Sequence, residues 1–390
     1  MPPRRVRSLV ALAVAAAAVA APVNASADAA PPHHVVSRYE TSSGNVLQRD
    51  CGFSHQLPNK SGSSIWLFCD TPIANSGGTV LGFIPGSTAA IGPFTAGQVP
   101  TGLSEIPSTG TSIEPLPSNQ APRQFLPTPT GLVMPDGTTA CGASGTNAYA
   151  ATWISGVTRE PAAVNSSLLL ISFTDVCVTS STGIVTERFG IAEYNPSTNA
   201  VSAMTRVFKA STPGRSLPSQ LLLGSPVFSG GNLFLFSSIC DSSGFGACGS
   251  GRIFLARVGG QPSSWRNSSG YRFFDPAASG GFTADPTQAQ SIISGASPFA
   301  VTADNFSSVG QKFALVEETS LGGDFRVWHA TSPTGTWSQG TSGKVPCSGG
   351  SGLNLCRALI GHPELSTSSQ LLLSFANPGD NHVWVAANPW

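Results

Sequence analysis

An all-β fold, a five-bladed β-propeller, is what the sequence predicts, and three observations predict it. The 390 residues include 43 Gly and 31 Pro, about one residue in five, which leaves little room for long helices. Charged residues make up only 10% and hydrophobic ones 40%, the reverse of a disordered chain. Short runs rich in β-branched, aromatic and leucine side chains recur in pairs, five times, bounded by Gly, Pro, Asn and Ser. Radial repetition of small antiparallel sheets explains such pairs at irregular spacing. A β-sandwich, with turns every ~8 to 12 residues, does not.

The chain opens with Arg4, Arg5 and Arg7, an apolar stretch from Leu9 to about Ala21, and the small-residue triplet Ala25-Ser26-Ala27, the plan of a secretory signal cleaved after Ala27. Three arginines and no acid leave with it, so the balance of 20 Lys plus Arg against 20 Asp plus Glu becomes a net −3. No later apolar run reaches the roughly 18 residues of a membrane span. The expected product is a secreted, extracellular monomer without a transmembrane segment, its retention at a cell surface through its ligand left open. With neutral charge and no basic run beyond the N-terminus, nucleic acid is excluded as a partner.

Residues 28–45 read as a flexible leader, and 46–390 as the propeller domain. The first blade is expected from an innermost strand near Asp50, then Ile65 to Phe68 and Thr79 to Ile84. Residues 84–135, with many Pro, Gly and Thr, read as long loops or irregular outer strands. The second blade begins near Tyr149 and continues with Leu168 to Phe173 and Phe189 to Tyr194; the third begins near Ser225, with Leu233 to Phe236 and Arg252 to Arg257. The fourth begins near Ser297, with Phe313 to Val316 and Phe325 to Ala330. The fifth begins near His362, with Leu371 to Phe375 and His382 to Ala386, and an N-terminal strand is expected to close it.

Export permits disulfides, and the eight cysteines are even in number. Pairing of neighbours is expected: Cys51 with Cys69, Cys141 with Cys177, Cys240 with Cys248, and Cys347 with Cys356. None forms a Cys-x-x-Cys unit and the six His are scattered, so no metal and no cofactor are expected. Gly244-x-Gly246-x-x-Gly249 has the letters of a dinucleotide fingerprint, but a strand follows it where a helix would have to. The chain also lacks a Gly-x-Ser-x-Gly, a Walker loop and a His-Glu-x-x-His, which removes local support for a serine hydrolase, a nucleotidase or a zincin.

The informative segment is Asp50-Cys51-Gly52-Phe53-Ser54, a turn at Pro58 to Gly62, then Ile65-Trp66-Leu67-Phe68-Cys69-Asp70-Thr71. Facing positions in an antiparallel hairpin have a constant sum of residue numbers. Cys51 with Cys69 and Asp50 with Asp70 share the sum 120, so the register that pairs the cysteines also places the two carboxylates opposite each other, on the other face of the sheet. In a propeller the innermost strand starts, and the second strand ends, on the face where loops build the ligand site. Asp50 and Asp70 occupy those places; Glu317 and Glu318 follow the second strand of the fourth blade, and His362 begins the innermost strand of the fifth. Asp175, Asp241 and Asp380, also after second strands, read as turn supports.

An Asp followed by small residues, a hairpin and Trp66-Leu67-Phe68-x-Asp70-Thr71 resembles the opening of a family of secreted bacterial propellers, long of unassigned function and allied to glycoside hydrolases that include endo-D-arabinanases. The likeness extends to Thr174-Asp175-Val176-Cys177, Phe189 to Pro196, Arg252 to Arg257 with Trp265 and Tyr271, and His362-Pro363-Glu364-Leu365-Ser366. Ser332 to Trp337 is similar to a blade motif of other five-bladed glycosidases. Cys51 and Cys69 depart from the family at positions that are commonly Gly, and their facing placement supports a bridge.

The resemblance implies hydrolysis of an extracellular or cell-wall polysaccharide, of arabinan type. Such chemistry needs one carboxylic acid and one carboxylate, about 5 to 5.5 Å apart when retaining and about 6.5 to 9.5 Å when inverting. Facing Cβ atoms lie about 4.5 to 5.5 Å apart, too close for Asp50 and Asp70 to be an inverting pair alone. Asp50 is therefore the expected base or nucleophile, with Asp70 tuning it or orienting the sugar. The acid is expected from Glu317 or Glu318, and His362 and Tyr149 are expected to bind substrate. The rival reading is a non-catalytic carbohydrate-binding or surface-interaction propeller, with Trp66, Trp153, Trp328 and Trp384 mostly in the core.

Overall fold

Each second strand of a propeller blade lies between two strands of its own sheet and between two neighbouring blades, so its side chains meet protein in every direction and it reads as a continuous apolar run. A computed structural model bears this out: every residue of Ser63–Phe68, Leu169–Val178 and Phe313–Glu318 is buried. The structure describes residues 33–34, 46–100, 102–106, 122–134, 136–179, 184–209, 224–244, 247–310, 313–347 and 355–390. The expected signal segment, and the leader apart from two residues, lie outside them.

The first blade orders Cys51–Gln56, Ser63–Phe68, Thr88–Pro93 and Ser104–Glu105. The second contains Tyr149–Arg159, Leu169–Val178, Ile184–Asn195 and Ala200–Lys209. The third runs through Gly224–Ser229, Asn232–Gly244, Ala247–Gly259, Arg272–Phe274 and Phe282–Thr283. The fourth has Ala300–Asp304, Phe313–Glu318, Asp324–Ala330 and Ser338–Lys344. The fifth has Arg357–Gly361, Gln370–Asn377 and His382–Pro389, and His33–His34 from the N-terminal segment pairs with its last strand, His33 facing Val385. All these pairings are antiparallel, and among the described residues the one α-helix is the four-residue turn Pro262–Trp265.

Two features close the ring. Each innermost strand touches the next, and the fifth touches the first. Five clusters of the apolar core are likewise each shared by adjacent blades: Leu67 with Phe173, Phe189 with Leu235, Phe236 with Leu315, Val316 with Phe375, and Val385 with Trp66.

Two expected strands are corrected. The third strand of the first blade is Thr88–Pro93, pairing Phe68 with Thr88 and Trp66 with Ala90. Val80–Ile84, expected there, instead pairs with Thr71–Ala74, which also pairs with Val46–Leu47 in a separate three-stranded sheet. Burial explains the exchange: Ala89 and Ala90 sink into the inter-blade core, whereas Val80 and Leu81 would waste two large side chains that stay 53% and 46% exposed. In the fifth blade the innermost strand is Arg357–Gly361, and His362 follows its end where it was expected at its start. Pro363 lacks an N–H to continue the ladder, which stops the strand there.

All four expected disulfides are present, with Cα separations of 5.4 Å for Cys51–Cys69, 5.8 Å for Cys141–Cys177, 5.7 Å for Cys240–Cys248 and 6.1 Å for Cys347–Cys356. Each has a cysteine at the start of an innermost strand or in the far half of a second strand, so all brace the same end of the ring. Among the described residues no helix is long and apolar enough to cross a membrane.

Candidate active site

That braced end carries a cleft of about 330 Å³ whose walls include Asp50, Asp70, Phe83, Tyr149, Arg357 and Asn381. Asp50 immediately precedes the innermost strand of the first blade, and its neighbour across the ring is Arg357, the first residue of the innermost strand of the fifth. The guanidinium donates to Asp50 Oδ2 through Nε at 2.7 Å, and Nη2 lies 2.7 Å from the same oxygen. Asp50 Oδ1 accepts the Cys51 backbone N–H at 2.8 Å.

Asp70 is held by the other neighbouring blade. Tyr149 Oη donates to its Oδ2 at 2.6 Å, while Trp153 Nε1 and the Gly86 backbone N–H donate to Oδ1 at 3.0 and 2.7 Å. Burial nevertheless pushes the Asp70 carboxyl above the usual range, the three donors oppose that rise, and the Asp50 charge adds a little to it. The Tyr149 hydroxyl is pushed upward too, first by burial and then by the Asp70 charge. Trp153, expected in the core, therefore contributes its indole N–H to the site.

The two aspartates do not face each other as the hairpin arithmetic predicted. Phe53 with Leu67, Ser54 with Trp66, His55 with Ile65 and Gln56 with Ser64 keep the sum of 120, but the register slips before Cys51, which pairs with Phe68. The Cys69 backbone N–H donates to Asp50 O at 2.9 Å, on the slipped register. The irregularity is a bulge with Cys51 at φ +65° and Gly52 at φ +127°.

Glu317 and Glu318 are separated by the alternation of a strand. The Glu317 carboxylate is buried and fully engaged by the Ser297 backbone N–H, Arg326 Nη2 and Trp328 Nε1, each at 2.6 Å. It is a structural ion pair between strands. Glu318 lies on the opposite face of the strand, buried behind the cleft wall and within electrostatic reach of Asp50 and Arg357, with Leu359 and Ala358 backbone N–H groups donating to it and no protein partner for Oε1. Burial pushes its carboxyl up to about 8, with the Asp50 charge adding to the rise and the donors and Arg357 opposing it. Glu318 is thus a carboxyl that burial biases toward its protonated form, within electrostatic reach of the ion-paired Asp50.

His362 is not in the cleft. It is fully buried against Trp66, ring centroids 4.9 Å apart, and Ser54 Oγ lies 2.7 Å from its Nδ1. Burial holds it neutral, its pKa pushed down to about 3. Ser54 also donates to Glu364, whose carboxyl burial pushes up to about 7, and Asp304, raised well above its usual value, lies within electrostatic reach. His362 sits roughly 16 Å along the chain from Arg357, five residues at ~3.3 Å each.

The sequence reading missed Arg357. Its one local signal is its place next to Cys356, on the strand that follows the last expected disulfide. Asp175 pairs with Arg206 at 2.5 Å inside the second blade, Asp241 with Arg252 at 2.7 Å, and Asp380 with the Trp384 indole, so these three carboxylates serve their own blades. The glycine-rich letters at 244 to 249 span the end of the strand Asn232–Gly244 and the start of Ala247–Gly259, so a strand follows where a helix would have to. Among the described residues no group of three or more His, Cys, Asp or Glu is arranged to hold a metal ion.

No protein-family model matches the chain, and no curated protein matches it. Several solved structures are similar in chain trace. An α-L-arabinofuranosidase from Fusarium graminearum has a TM-score of 0.40 at 10% identity, covering 88% of this chain and 93% of that one. A family 117 glycoside hydrolase from Zobellia galactanivorans has 0.40 at 7%, covering 92% and 88%. A GH43_1 enzyme from Xanthomonas citri has 0.43 at 10%, covering 93% and 90%. The likeness is distant: the five-bladed fold rests on the closed ring of strands and cores, and the functional reading below rests on the residues of the cleft.

Proposed function

We propose that the cleft is the active site of a glycoside hydrolase acting on an extracellular or cell-wall polysaccharide of arabinan type. One observation carries the reading: Asp50, paired with Arg357 at the cleft, lies within electrostatic reach of a buried carboxyl, Glu318, that burial biases toward its protonated form. Glycoside cleavage needs such a pair, an acid to protonate the leaving oxygen and a carboxylate to attack or to activate water. Glu318 is the general acid, Asp50 the base or nucleophile, and Asp70, held by Tyr149 and Trp153, orients the sugar and sets the local charge. Tyr149 contributes a wall for the substrate together with Phe83, whose ring meets it edge-on at 5.1 Å. The protein acts outside the cell as a monomer, in keeping with the signal-like N-terminus and the four disulfides.

The test is release of reducing ends from a panel of cell-wall and plant polysaccharides. Glu318→Gln and Asp50→Asn are each expected to lower turnover about 10²- to 10⁴-fold with substrate binding retained. Because the acid must carry its proton, turnover is expected to fall as pH rises through about 8. Wild-type rates in both variants would sink the assignment. One observation favours a non-catalytic reading: both Asp50 oxygens are already engaged, by Cys51 and Arg357. Glycan binding without cleavage across the panel would select it.

A further inference from the structure

We infer that Gly52 is a positioning residue: the bulge it permits turns Asp50 off the register that would set it against Asp70 and delivers it to Arg357. The inference deepens the reading of Asp50 and Asp70 as members of one site and rests on it for catalytic meaning, but its physical content stands on the hairpin alone.

Four consecutive pairs, from Gln56 with Ser64 up to Phe53 with Leu67, keep one register. Continued, it would place Asp50 directly across from Asp70, two carboxylates facing each other at the rim of a partly buried cleft. The slip at Gly52 prevents this. A Cβ at Gly52 would lie 2.6 Å from Val383 Cγ1, a buried branched side chain that would have to shift, and the φ of +127° is one that L side chains rarely adopt. Both constraints admit glycine and exclude the rest. The consequence is a division of the two acids between blades: Asp50 goes to the fifth through Arg357, and Asp70 to the second through Tyr149 and Trp153. Cys51 and Cys69 tie the strands on either side of the slip, and the same two cysteines would also face each other in the unslipped register. A substitution at Gly52 can therefore change the register without breaking the cross-link.

The experiment is an NMR titration of the Asp70 side-chain carboxyl in the full-length oxidised protein, with and without Asp50→Asn, in the parent and in Gly52→Ala. In the parent, Asp50→Asn is expected to move the Asp70 midpoint by less than about 0.3 unit, because the two acids are held apart. In Gly52→Ala the same change is expected to lower it by about one unit or more, as for facing carboxylates. Peptide mapping is expected to find Cys51 still joined to Cys69. Equal effects of Asp50→Asn in the two backgrounds would overturn the inference. Should Gly52→Ala not fold, Cys51→Ala/Cys69→Ala supplies the second arm. Gly52 is still present there, so the Asp50→Asn effect is expected to stay small, and a large one would assign the positioning to the disulfide and refute the role of Gly52. The titration needs no turnover: a parent protein that cleaves no glycan removes the catalytic reading and leaves the positioning result standing.

Discussion

Glu317 and Glu318 share a strand, a side-chain type and a depth, and differ only in the direction the pleat gives them. The first meets three donors and stays paired; the second meets backbone N–H groups on one side and nothing at Oε1. Glu317→Gln keeps the shape but turns an amide toward Arg326 and the Trp328 indole. It is expected to destabilise the fold by about 3 kcal/mol, measured by urea unfolding at pH 7. Glu364 has the opposite character. Its folded pKa of about 7 lies above its ordinary value of 4.5, so the folded state holds a proton that the unfolded chain has released. Stability from this group is whole below about pH 4.5, declines as pH rises, and levels off above pH 7, a loss on the order of 3 kcal/mol. Glu364→Gln is expected to recover most of it at pH 8 and to change little at pH 4.5. A variant equally stable relative to the parent at both values would contradict this. At this scale the placing of Asp50, Asp70 and Tyr149 around one cleft was legible because each sits at the end or start of a strand readable in the sequence, whereas Glu317 and Glu318 could not be told apart without the strand's pleat. Arg357 was not legible, since its partner is 307 residues away. The misplacement of His362 came from starting a strand at a residue that follows the end of the real one, Arg357–Gly361.

Among the elements, the hairpin Thr71–Ile84 and the strand Thr88–Pro93 exchange the roles their compositions suggest. The apolar Val80 and Leu81 lie on the surface, and the Ala-rich strand lies in the core, where Ala90 faces Trp66 across the sheet. Alanine and glycine are poor strand formers, so propensity passes over Thr88–Pro93; small side chains are what the space beside a buried tryptophan admits. Ala90→Leu is accordingly expected to cost about 1–3 kcal/mol by overpacking, whereas Leu81→Ser is expected to stay within about 0.5 kcal/mol of the parent. Thermal unfolding of the two variants side by side checks the exchange; a larger loss from Leu81→Ser would reverse it. The second strands, by contrast, were readable in all five blades, because burial on both faces writes a short, mainly apolar run in each.

At the scale of the molecule the fold is a ring of five sheets sealed by five cores, and its four cross-links all lie toward one of its two ends. The sequence showed the number of blades and the pairing of the cysteines; it did not show that the bridges would share one end, because that depends on strand direction around the whole circle. The consequence is mechanical. Blades cross-linked toward one rim and held elsewhere by hydrogen bonds, ion pairs and packing open more readily from the other rim, with the cross-linked rim acting as the hinge line. Deuterium uptake is expected to follow that axis. Amides toward the ends of the innermost strands, around Gln56, Asp304 and Gly361, should exchange faster than those around Cys51, Asp70 and Arg357, and mild reduction should abolish the difference before it unfolds the protein. Uniform uptake along the inner strands would show that the two ends breathe alike. A gradient would mean that the protein keeps its floor loose while its cleft stays still, so that substrate meets a surface already at rest.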